Sequence, residues 1–334
     1  MDGNIAAGFK WTDKIKNLPS RLTTIQVKSS TVALVILYIV MVIFFSMVSP
    51  YYFTVSNFLS IFSNLGITGI VAIGMMVVML AGGFDLSVGS MVGLVGVFIA
   101  RMFNIAHPPP LPVIILIGML IGPALGAING IIITRVGINP LIATLGTMAI
   151  FRGFCYIYAM QVARIYDPIY LALGRSYLFK YIPISFLYMV LLMLLMDFIL
   201  RYTRFGRNVF AVGGNVYAAR AVGINTDRVK FYTYVISGIM CSFAAVILTA
   251  QLGMGRPEFG TGYELEIITA LALGGVSLSG GKGDFIGVFL AILILGSIGN
   301  GMVLMNVPIY LRMVIKGAIL ILAVTIDSLR GKKR

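Results

Sequence analysis

Ten apolar stretches, most of them near twenty residues long, follow one another along the chain: roughly 31–49, 57–81, 88–104, 113–134, 139–159, 183–200, 231–253, 266–281, 285–304 and 309–327. A helix needs about 20 consecutive apolar residues to cross the hydrocarbon of a bilayer. Backbone in lipid must satisfy its own hydrogen bonds, which leaves helices or a closed barrel. Barrel strands are short and alternate in polarity, whereas these stretches are long and unbroken. The sequence therefore predicts an all-α polytopic membrane protein of about ten transmembrane helices, occupying residues 31–329. Only 11% of the residues are charged, against about 25% in soluble domains. Thirty-eight glycines suit helices that approach backbone to backbone.

The charges that remain set an orientation. An even number of spans puts both termini on one side. With that side inside, the inner segments carry 17 of the 25 basic residues. These are Lys10, Lys14, Lys16, Arg21 and Lys28 in a tail over residues 1–30; Arg135; six in the connector 201–230; Lys282; and Arg330, Lys332, Lys333 and Arg334, at or within the basic tail 330–334. This bias predicts cytoplasmic termini. It also accounts for the net charge of +14 without a nucleic-acid partner. The first apolar stretch is longer than the core of a signal peptide and reads as a retained span.

The connector Arg201–Lys230 is the largest polar interruption, with Arg201, Arg204, Arg207, Arg220, Arg228 and Lys230 against Asp227. Gly213-Gly214-Asn215 reads as a tight turn. Val216–Gly223 reads as a short helix ended by glycine, displayed to a partner. The loops over 160–182 and 254–266 read as water-facing caps on the opposite side.

Two glycine-rich breaks interrupt apolar sequence, at Ala81–Ser90 and at Gly274–Asp284. In the first, Asp85 either caps the following helix or lines a solute pathway. The second contains Gly281-Lys282, which imitates the end of a phosphate loop. Such a loop needs glycine where Val276 stands and Ser or Thr where Gly283 stands, so no nucleotide site is expected here.

Ionisable groups inside spans are costly and each is a candidate. Arg152 lies deepest; a structural hydrogen bond to backbone carbonyls competes with a functional role. Asp197 has Arg201 four residues on as a helical partner. Asn64, Asp85, Ser87, Asn129, Thr144 and Asn300 are the candidate pathway residues, since amides and hydroxyls both donate and accept. The same groups also hold helices together. Cys155 and Cys241 read as buried apolar residues and His107 as a loop residue. No catalytic motif is present.

Several separated segments agree on a resemblance: Ala81–Ser90, INPLIATLGTMAIFRG at Ile138–Gly153, TRFGRNVFAVGGNVYAARAVGI at Thr203–Ile224, Gly260–Gly287 and Tyr310–Leu329. Together they resemble the ribose-type permeases of bacterial ABC sugar importers, from about Asn57 to Leu329. Phe84 departs from the isoleucine of many such proteins while keeping apolar bulk. The resemblance implies an ABC importer permease fold in the bacterial cytoplasmic membrane, with two protomers, identical or related, forming the pathway. It implies an ATPase partner that binds ATP and magnesium, no cofactor on this chain, and a periplasmic or lipid-anchored binding protein that delivers a monosaccharide. The ATPase-coupling element of that family matches Gly213, Gly214, Asn215, Ala218, Ala219, Arg220, Gly223 and Ile224. A standalone secondary transporter or channel, and an importer of nucleosides or signalling sugars, remain the alternatives.

Overall fold

A computed structural model describes residues 29–159 and 162–332. Most of the anticipated N-terminal tail and Lys333–Arg334 lie outside the described residues. The chain forms α1 (Ser29–Val48), α2 (Val55–Leu80), α3 (Val88–Met102), α4 (Leu111–Ile131), α5 (Pro140–Tyr158), α6 (Pro168–Arg175), α7 (Ile184–Tyr202), α8 (Arg204–Gly214), α9 (Val216–Ala221), α10 (Thr226–Leu252), α11 (Tyr263–Leu273), α12 (Phe285–Leu304) and α13 (Ile309–Lys332). Four two-residue strands, β1 (Ala163–Arg164), β2 (Tyr177–Leu178), β3 (Ile182–Pro183) and β4 (Met254–Gly255), form two antiparallel pairs, β1 with β4 and β2 with β3.

Among the described residues, seven helices are long and apolar enough to cross a membrane: α1, α2, α4, α5, α7, α10 and α12. The fold is thus a multi-span helical bundle. Three of the ten predicted stretches, 88–104, 266–281 and 309–327, are not among the seven. The stretch 266–281 is not one helix: α11 has 11 residues and ends where Gly275 takes φ +84. Left-handed backbone of that kind ends helices. The following residues stay apolar enough to conceal the break. Helix α3 is also short, at 15 residues.

The centre is built on α2 and α10. Every residue of α2 from Gly69 to Leu80 is buried, as expected of a helix apolar on all sides. Helix α10 packs against α2, α3 and α4. Its contact with α4 runs along Gly118, Gly122, Gly126 and Gly130, one glycine per turn. A Cβ on Gly238 would lie 2.6 Å from the carbonyl carbon of Gly122, and one on Gly126 would lie 3.0 Å from that of Tyr234. The two backbones meet with nothing between them, the small-residue packing of membrane helices. Ser242 strengthens the seam, donating to Gly118 O and accepting from Gly122 N–H, both at 2.9 Å.

Helix α1 stands on the rim. Its buried side chains Leu34, Met41 and Phe45 pack with Tyr52 and with Ile294 of α12, and most of its remaining surface is exposed. Cys155 and Cys241 are buried free thiols. Arg201 pairs with Asp197 at 2.7 Å, as their spacing predicts.

Candidate functional site

At one end of the bundle, α8 and α9 project from the connector between α7 and α10. Thr203 caps α8 through Gly206 N–H at 3.2 Å, and Asn215 caps α9 through Ala218 N–H at 3.0 Å. Capping satisfies amides that the first turn leaves free. Gly223, at φ +84, ends the segment. The predicted short helix is therefore present. The predicted turn is not: Gly213 and Gly214 are the last residues of α8, because Asn215 serves as its C-cap as well as the N-cap of α9.

The side chains of this element divide in two. Ala219 is buried, and Ile224 packs partly against the core. Arg220 donates to Thr226 at 2.8 Å and to Asp227 at 3.0 Å, so its guanidinium is engaged within its own chain. The surface that faces outward is Tyr217 and Val222, 83% and 76% exposed, with Ala218 between them. Reasoning from sequence overlooked these two. Their signal is a large apolar residue on either side of the small ones in an otherwise polar loop.

The two glycine-rich breaks and Gly213 meet at one junction. Gly281 N–H donates to Leu80 O at 2.9 Å. A Cβ on Gly213 would collide with Leu80 O and lie 2.6 Å from Gly281 N. One on Gly280 would lie 2.9 Å from Gly82 Cα and 3.0 Å from Gly213 O. Gly82, Gly280 and Gly281 all hold positive φ, open to glycine at no steric cost. The end of α2, the turn after α11 and the end of α8 thus touch through backbone alone.

Behind this junction lies a fully buried polar cluster. Asp85 Oδ1 accepts from Ser87 N–H at 3.1 Å, from Ser87 Oγ at 2.6 Å and from Asn129 Nδ2 at 3.4 Å. Its Oδ2 accepts from Ser237 Oγ at 2.8 Å. Asn129 also donates to Ser87 Oγ at 2.8 Å. The hydroxyls of Tyr234 and Thr144 both donate to Phe84 O, at 3.1 and 3.4 Å. Four predicted residues, Asp85, Ser87, Asn129 and Thr144, therefore converge. They link the turn before α3 to α4, α5 and α10. Asp85 binds the amide of Ser87, the N-cap residue of α3, and α3 itself has no side-chain cap. Ser237 and Tyr234 complete the set.

Asn64 and Asn300 lie elsewhere. Asn64 is exposed on α2, and the half-buried Asn300 on α12 has a buried Oδ1 with no partner among the described residues.

Arg152 takes the structural role. Its Nη1 donates to Phe259 O at 2.9 Å and also to Pro257 O. Those carbonyls belong to non-helical backbone laid along α3. A Cβ on Gly255 would lie 2.7 Å from Gly96 O; one on Gly93 would lie 2.8 Å from Phe259 O; one on Gly89 would strike Gly260 O. From Ala100 to Gly89 this groove covers about 16 Å of helix. Residues 254–262 thus lie along α3 while Arg256, Glu258 and Thr261 stay exposed, as a water-facing cap requires. Arg152 satisfies two of the segment's carbonyls. Helix α11 starts where the segment ends. Near its start Glu266 meets Lys316 of α13, Oε2 to Nζ at 2.5 Å. The pair borders a mostly apolar cavity of about 160 Å³ between α11, α12 and α13.

A multi-span helical bundle with a capped helical pair at one end is the architecture of an integral membrane protein. Sequence comparison places it further. The profile of the family described as branched-chain amino acid transport system / permease component matches residues 57–324. The chain belongs to that family, among its ribose-type sugar permeases. It is 38% identical over 296 residues to the ribose import permease protein RbsC of Bacillus subtilis, covering 86% of this chain and 89% of that one. It is 33% identical over 301 residues to the RbsC of Haemophilus influenzae, covering 89% and 92%. It is 35% identical over 305 residues to the D-allose transport system permease protein AlsC of Escherichia coli, covering 89% and 91%. No solved structure matches the chain.

Proposed function

We propose that this protein is the membrane-spanning subunit of an ATP-driven importer that carries a monosaccharide across the bacterial cytoplasmic membrane. The observation that carries this reading is the match to permeases named for ribose and allose along nearly nine-tenths of each chain. The chain is a transport subunit and not an enzyme.

In this reading residues 31–329 form the permease domain, flanked by cytoplasmic tails at 1–30 and 330–334. Ten membrane-inserted segments, counting the short α3 and α11, put both termini in the cytoplasm. The charge bias supports that orientation. The helical pair in the 201–230 connector then faces the cytoplasm and docks on an ATPase chain, which binds ATP and magnesium. Tyr217, Ala218 and Val222 form the docking surface, and Ala219, Arg220 and Gly223 hold its shape. The element carrying β1, β4 and α6 faces outward, where a sugar-binding protein delivers its cargo. A second permease protomer completes the pathway.

Coupling follows from the glycine junction. Displacing α8–α9 moves Gly213, which touches both Leu80 and Gly281 with no side chain to absorb the shift. Packed backbones move as units, so α2 and α11 follow, giving the interface motion that such machines need.

The test is reconstitution with the ATPase chain and the sugar-binding protein in liposomes. Uptake of labelled ribose, allose or arabinose that requires ATP and both partners is the expected result. Uptake driven by an ion gradient in the chain alone would refute it.

A further inference from the structure

The solute must cross on a face that water reaches, and the buried Asp85 cluster offers none. A different face carries exposed polar groups. Ser60, Asn64 and Thr68 stand one turn apart on α2 and share one side of the helix. Ser60 and Asn64 are exposed and Thr68 is half-buried. The Asn64 amide makes no hydrogen bond to any described residue. Thr68 lies about 20 Å from either end of α2, the middle of a span.

A second observation on α11 and α13 points the same way. Glu266 lines a small pocket with Thr68 and therefore sits near mid-depth. Its carboxylate pairs with Lys316, the two side chains 24% and 46% exposed. Charged groups at that depth face protein or water and not lipid. The Ser and Thr hydroxyls bond back to their own helix, Ser60 to Ser56 O at 3.0 Å and Thr68 to Asn64 O at 3.3 Å. Their lone pairs stay free to accept.

We infer that Ser60, Asn64 and Thr68, with the Glu266–Lys316 pair, line the aqueous route for a neutral polyhydroxylated solute, on a face that a second copy of this chain closes. The inference rests on the permease reading and gives it an address. Amide, hydroxyls, carboxylate and ammonium together offer both donors and acceptors, as a sugar ring requires. The paired charges leave the route without a strong net field, which suits an uncharged cargo. The side that α2 turns to the core contributes nothing to this route.

The test uses the full chain in native membrane vesicles of both orientations. Cysteine replaces Asn64 or Thr68, and Leu116 or Leu194 as exposed apolar controls on α4 and α7. The two native cysteines are buried, so background is low. Cationic and anionic methanethiosulfonate reagents, both membrane-impermeant, are the probes. Asn64→Cys and Thr68→Cys are expected to react at least about tenfold faster than the controls, because thiolate forms only where water reaches. Rates equal to the controls would overturn the proposal. In the Thr68→Cys background, Glu266→Gln is expected to lower the ratio of cationic to anionic rates by about threefold or more, and Lys316→Gln to raise it. An unchanged ratio in both would remove the pair from the route. Labelling needs neither ATP nor partners. Failed ATP-dependent uptake with fast labelling would therefore refute the importer reading alone, and slow labelling with normal uptake this one alone.

Discussion

Gly281 donates its backbone N–H to the carbonyl of Leu80 at 2.9 Å, joining the end of α2 to the turn after α11, 201 positions further along the chain. The contact is possible because Gly213 presses on both partners without a Cβ. Gly213→Ala is expected to destabilise the chain by about 1–3 kcal/mol, the usual cost of forcing atoms into a packed site. It should also uncouple ATP hydrolysis from uptake. Gly214→Ala is the control, since a Cβ there meets nothing within 4 Å. Thermal unfolding in detergent and ATPase stimulation in the complex check both. Equal behaviour of the two variants would end the argument for a junction.

Arg152 holds the segment 254–262 by its carbonyls. Arg152→Met leaves the part-buried Phe259 O and Pro257 O short of a donor, at a cost of about 1 kcal/mol for each. Amide exchange should accelerate across 254–264 and stay unchanged in the centre of α10. Arg152→Lys keeps the charge but loses the fork of donors, and should recover part of the protection.

Ser237 is the only described donor to Asp85 Oδ2. Ser237→Ala should cost about 1–3 kcal/mol by stranding that oxygen. Its effect should not add to that of Asn129→Ala, because both residues act on one carboxyl group. A double-mutant cycle on unfolding measures the coupling, and simple additivity would separate the two.

The proposed docking element separates into exposed Tyr217 and Val222 and buried Ala219. Tyr217→Asp should weaken ATPase binding by about tenfold or more, as for an exposed aromatic anchor, with unfolding unchanged. Ala219→Trp should abolish transport and ATPase stimulation while membrane insertion persists. It acts from within, since Ala219 is buried, so it should also lower the unfolding temperature. Pull-down and unfolding measured on both variants tell surface from support.

Much of this was legible in the sequence. Apolar length located α1, α2, α4, α7 and α12 to within a few residues, since burial in lipid leaves little choice of element. The segment Val216–Gly223 announced α9 through its terminal glycine, while Asn215, read as part of a turn, proved to be its cap. Asp85, Ser87, Asn129 and Thr144 were singled out one by one, and the fold brings them together. The convergence of Gly82, Gly213 and Gly280 was not legible, because backbone contacts leave no side-chain pattern. The short α11 was hidden for a related reason: Gly274–Leu278 stays apolar where the helix has already ended. Arg220, matched to the coupling element from sequence, also donates to Thr226 and Asp227 of its own chain, a pairing that sequence alone did not show.

The rim position of α1 bears on how the protein is made. Its main helical partner, α12, lies far along the chain and is synthesised only after the helices between them. Its contact with Tyr52 is local in sequence, whereas its contact with Ile294 must wait for α12. Its central run, Thr31–Val48, carries no charge, so lipid can hold it at little cost until then. The family profile begins at residue 57, after α1 has ended, so α1 adds a rim to the part of the chain that the profile describes.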